Sequence, residues 1–170
     1  MTMAFPYEIH RWIVFAHVLG VLLFLLAHGA AASVGFRLRT ERDHERLRTL
    51  LDLSAASYKA FSIAFLWILA TGILLGVDGE WWRQAWFWLA LILLFVITGV
   101  MTPLVAIPLH KVRRALGLKP PGAGKRALAA PAPTLEEIPG LLEKAHPTAA
   151  AVVGFGGIGV ILWLMMFKPF

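Results

Sequence analysis

A chain of 170 residues with 59% hydrophobic and 15% charged side chains, and a mean hydropathy of +0.73, lies outside the composition of soluble domains. Without a single cysteine it has no disulfide, thiolate metal site or thiol chemistry. Its net charge of +6 could suggest a nucleic-acid footprint, so the placement of the charge matters more than its size.

Four apolar runs, at about 12–36, 58–77, 84–108 and 148–167, are free of charge apart from Lys59 at the head of the second. A bilayer core of about 30 Å takes about 20 residues at 1.5 Å each, so each run is long enough to span it as a helix. A spanning strand would be half as long and would alternate polar with apolar, which none of these runs does. The expectation is an all-α, four-transmembrane-helix bundle forming one domain.

The first run carries His17 and His28, eleven positions apart and therefore about 20° from eclipsed on one helix face, with Gly20, Phe24, Ala31 and Gly35 on or near the same stripe. That face is expected to point into the bundle, because an imidazole in lipid is costly. Ala30, Ala31, Ala32 and Ser33 resemble a signal cleavage site, but the positive charge follows the run instead of preceding it, so the span is expected to be retained. In the connector that follows, Thr40 and Asp43 suggest a helix cap. Leu47, Leu50, Leu51 and Ser54 make a narrow apolar stripe, as in a surface helix running into the second span.

Gly72 and Gly76 give the second span a small-residue spacing, and Asp78, Gly79 and Glu80 form too short a loop for anything but a tight hairpin with the third. Trp12, Trp81, Trp82, Trp86, Trp88 and Trp163 fall at span ends on one side, as an interfacial belt does. The third span should continue past His110 to a left-handed stop at Gly117, followed by a mobile Pro, Gly and Ala linker over 117–134. Thr134 and Glu137 have capping-box spacing ahead of a short helix bent near Pro139, with Leu135, Ile138, Leu141 and Leu142 on one face. The fourth span holds Gly154, Gly156, Gly157 and Gly159, which marks it as a central or dimer-forming helix; Gly72, Gly76, Gly154 and Gly157 are the expected packing positions.

Basic residues set the orientation. Arg37, Arg39, Arg42, Arg46, Arg48 and Lys59 lie after the first span, and Lys111, Arg113, Arg114, Lys119, Lys125, Arg126 and Lys144 after the third, thirteen of the sixteen in all. By the positive-inside rule both connectors are cytoplasmic and both termini extracytoplasmic, in the inner membrane of a cell. Arg37, Arg39, Lys111, Arg113 and Arg114 would meet anionic lipid heads or a partner.

Histidines are the plausible chemical groups. His28, sixteen residues past Trp12, and Met101, fifteen past Trp86, fall at similar depth and could ligate haem b. His10 and His17, with Met165 and Met166 at the same side, offer imidazole and thioether to copper. Packing and interhelical hydrogen bonds are the favoured account of all these residues. His44, His110 and His146 read as solvated. No Ser, His and carboxylate set, phosphate loop or HExxH motif is present, so no hydrolytic active site is expected.

The run FAHVLGVLLFLLAHG, the basic RLRTERDHERLRTLLDLS, the WW pair and the final LWLMMFKPF resemble an uncharacterised family of four-helix bacterial predicted integral membrane proteins. More distantly, the first helix is similar to that of copper-resistance D-type membrane proteins. Neither resemblance implies an activity. The expectation is a structural or interaction subunit or scaffold without enzymatic turnover, cofactor or nucleic-acid partner, in contact with the bilayer and with other copies or membrane subunits. A haem b or copper redox protein is the alternative, and solute or ion transport by an oligomer the third.

Overall fold

The computed structural model describes residues 4–122 and 131–169. The middle of the Pro, Gly and Ala linker, with Lys125 and Arg126, lies outside the described residues.

Four helices are long and apolar enough to cross a membrane. Helix α1, Tyr7–Thr40, overruns the expected 12–36 at both ends, with Glu8 in its first turn and Arg37 and Arg39 in its last, each charge favourable at its end of the helix dipole. Helix α2, His44–Asp78, merges the expected surface helix and the second span into one rod of 35 residues. No Gly or Pro interrupts positions 44 to 71, so nothing stops propagation. Asp43, not Thr40, is the cap: its carboxylate accepts the Arg46 backbone N–H at 2.9 Å, which holds its pKa below the ordinary value.

The third rod is composite. Helix α3, Ala85–Met101, passes through a π-turn, Thr102–Ala106, into α4, Ile107–Ala115. Pro103 and Pro108 cannot donate to the carbonyls one turn back, and a wider turn accommodates the break. The carbonyl of Leu104, which Pro108 leaves without its helical donor, accepts the His146 backbone N–H at 2.9 Å. Helix α4 ends in a Schellman turn, with Gly117 at φ +74°, Gly117 N–H on Arg114 O and Leu118 N–H on Arg113 O. The Thr134 and Glu137 capping box opens a 3-10 turn, Leu135–Glu137, that leads into α5, Ile138–Glu143, with Pro139 tolerated in its first turn. Helix α6, Pro147–Phe167, completes the bundle.

Helix α1 packs on α2 along most of its length, α3 packs on α6, and α6 joins the two pairs through α1. Where the ends of α1, α2 and α4 extend to the basic connectors they bury Leu38, Leu47, Leu51 and Val112 against Leu142 of α5. The outward faces are apolar, with Leu26 70% and Val152 67% exposed, as lipid-solvated surfaces are.

Glycines bring the rods together. A Cβ at Gly20 would stand 2.6 Å from the Trp67 ring, one at Gly76 2.7 Å from Phe87, and one at Gly154 would overlap His28. Gly72 and Gly157 face His17 and Ile97, so all four glycines expected at packing positions pack within this chain. Gly154→Ala is therefore expected to destabilise the bundle by about 1–3 kcal/mol, the usual cost of overpacking. Gly156→Ala, with nothing within 4 Å of the added methyl, should leave the melting temperature of the detergent-solubilised protein unchanged or slightly raised.

Candidate functional site

Two cavities lie between the helix pairs. The one toward the basic connectors has a volume of about 340 Å³ and is bordered by α1 at His28, by α2 from Leu51 to Leu66, and by α3, the π-turn and α4 from Thr98 to Arg113. The second, of about 410 Å³ and almost wholly apolar, lies toward the opposite end, between α1, α2, α3 and α6.

Arg113 is the polar centre of the first cavity. It is only 8% exposed, unlike Arg37, Arg39 and Lys111, which project outward as expected. The Schellman turn folds the chain back so that the Lys119 carbonyl accepts Arg113 Nε–H at 3.0 Å, and Nη2 donates to Asp52 Oδ1 at 3.0 Å. Nη1 is buried with no partner among the described residues. A guanidinium carries five donors, so one terminal nitrogen remains unsatisfied in a side chain that borders the cavity.

His28 and Met101 both border this cavity. The His28 ring packs edge-on against Phe155 at 4.6 Å, and its Nε2 is enclosed against the Gly154 backbone without a hydrogen bond. His110, expected to be solvated, also borders it, with its ring 6.4 Å from that of Tyr58.

His17, Met165 and Met166 border the second cavity together. Thr71 Oγ1 donates to Trp67 O at 2.7 Å and so accepts from His17 Nδ1–H at 2.9 Å. A neutral ring in this arrangement carries its proton on Nδ1 and leaves the Nε2 lone pair available. Lys168, at the end of α6, places its ammonium 4.3 Å above Trp81 and 5.6 Å from Trp86.

His10 lies apart from that group. Its Nδ1 meets Oδ2 of Asp78, a carboxylate that is fully enclosed and whose Oδ1 accepts the Phe5 N–H at 2.8 Å. The segment before α1 is thereby tied to the end of α2. Sequence reasoning treated Asp78 as a loop residue and missed this clamp, as it missed Thr71 and Asp52. A lone acid closing an apolar run, on the same side as His10, was the available signal. Among the described residues, no three His, Cys, Asp or Glu side chains converge as a metal-binding group.

The His17 and Thr71 bond joins α1 to α2 in an apolar setting. Interhelical bonds of this kind between lipid-embedded helices average about 0.6 kcal/mol, because the separated helices find other partners. A double-mutant cycle with His17→Phe and Thr71→Val should give a coupling of about that size, up to about 1.7 kcal/mol, in reversible unfolding from mixed micelles. No family model, curated protein or solved structure matches this chain, and the reading of both cavities rests on their own geometry.

Proposed function

We propose that this protein is a multi-pass inner-membrane protein with both termini extracytoplasmic, acting as an interaction subunit that presents the outer face of α6 to another membrane helix. The observation that carries this reading is the division of the α6 glycines. Gly154 and Gly157 are filled by side chains of this chain, whereas Gly156 and Gly159 face outward with nothing within 4 Å of where a Cβ would stand. They lie beside the exposed Phe155, Val160 and Trp163. Such a surface lets a second backbone approach closely, and close packing is what holds helices together where burying apolar area gains little. The exposed cations Arg37, Arg39 and Lys111 at the inner ends fit an anionic leaflet, which supports the orientation.

The absence of native cysteine makes the test clean. Single Cys placed at Gly156 or Gly159 should crosslink in native membranes to one defined partner, a second copy or another subunit. Cys at Leu26 or Ile63, equally apolar and exposed on α1 and α2, should not. A membrane-impermeant maleimide added to intact cells should label Cys at Glu80 and not at Glu41. Equal crosslinking at all four membrane positions would remove the α6 interface, and reversed labelling would remove the orientation.

A copper-binding reading has one observation in its favour: His17, with Nε2 unprotonated, borders the same cavity as Met165 and Met166. On that reading Cu(I) binds stoichiometrically, and His17→Ala abolishes binding; metal-free protein after expression with copper would end it. The haem alternative lacks comparable support, since His28 Nε2 is enclosed against Gly154.

A further inference from the structure

We propose that the cavity toward the basic connectors binds a single-chain amphiphile with an anionic head, the head on Arg113 and the chain lying along α2 toward His28. The inference goes beyond the subunit role and stands independently of it.

The first support is the state of Arg113. Its side chain is more than nine-tenths buried and borders the cavity, yet Nη1 has no partner among the described residues. Asp52, which takes Nη2, is 64% exposed on its side chain and does not border the cavity. A buried donor left unmade costs free energy, and an acceptor entering the cavity would remove that cost. A charge-assisted bond to carboxylate or phosphate is the strongest the guanidinium can make.

The second support is the charge of the lining. Among the described residues Arg113 is the one formally charged side chain on the cavity wall, and no carboxylate among them borders it. The hydroxyls of Ser57, Ser62, Thr98 and Thr102 all donate to carbonyls of their own helices, so these four O–H groups need no acceptor in an occupant.

The third is shape. Lining residues on α2 run from Leu51 to Leu66, about 22 Å at 1.5 Å per residue. Phe61, Phe65 and Leu109 make the walls apolar. A volume of about 340 Å³ stands at the low end of ligand sites, at about 300–1,000 Å³, and so takes one hydrocarbon chain rather than two. An elongated apolar slot with a single cation at the leaflet end complements a fatty carboxylate or a lysophosphatide.

The test uses the full chain in phosphatidylcholine nanodiscs, with native mass spectrometry after addition of palmitate, lysophosphatidate or hexadecanol. One equivalent of palmitate or lysophosphatidate is expected to bind and hexadecanol is not; the tighter of the two anions identifies carboxylate or phosphate as the head. Arg113→Gln should weaken binding about tenfold or more. Asp52→Asn, which removes the competing negative charge and leaves Nη2 a weaker, neutral acceptor, should strengthen it several-fold, an effect that a purely structural Asp52 would not produce. Ala106→Phe, filling the wall, should abolish it. Hexadecanol bound as tightly as palmitate, or anion binding unchanged by both Asp52→Asn and Ala106→Phe, would overturn the proposal even if Arg113→Gln failed to fold.

Discussion

Glycine residues decide how closely these helices approach, and the rest of the bundle is arranged around those approaches. Trp67 lies in the space left by Gly20, Phe87 in that left by Gly76, and His28 in that left by Gly154. Each contact exchanges a missing methyl for a whole ring, so van der Waals packing replaces the hydrophobic drive that lipid does not supply. The approach at Gly20 also brings the Trp67 indole N–H to the Ala16 carbonyl at 2.8 Å, a polar tie between α1 and α2 that a larger residue would prevent.

The bundle is not held in the same way along its length. Its middle and one end rely on rings set against glycines, but the basic end has an aliphatic core in which Leu38, Leu47, Leu51, Val112 and Leu142 come from four helices. That core exists because α1 and α2 run on past the apolar spans and α5 folds over their ends. The prolines of the third rod contribute to the same arrangement. By removing a donor from Leu104, Pro108 frees the carbonyl that His146 uses to fix the start of α6.

Between the helix pairs the packing is incomplete, and there the polar groups matter. His17 and His10 are answered, by Thr71 and Asp78, while Arg113 is answered only in part. A buried cation with one unmet donor in a side chain that borders an apolar slot is a different object from the exposed cations Arg37 and Arg39.

The sequence alone determined the number, type and approximate limits of the long helices, because an apolar run of spanning length has no other way to satisfy its backbone. It also determined the stop at Gly117 and the capping box at Thr134, both of which depend on neighbours within a few residues. The expected run of the Leu47 stripe into the second span is the single rod of α2. Only the tertiary structure decided that Asp78 closes on His10 and Phe5, that His17 is held by Thr71, and that Arg113 turns inward while Lys111 faces out. These pairings join residues 54 to 73 positions apart, and their partners are set by the rotation and depth of each helix against the next, which no local pattern of residues encodes.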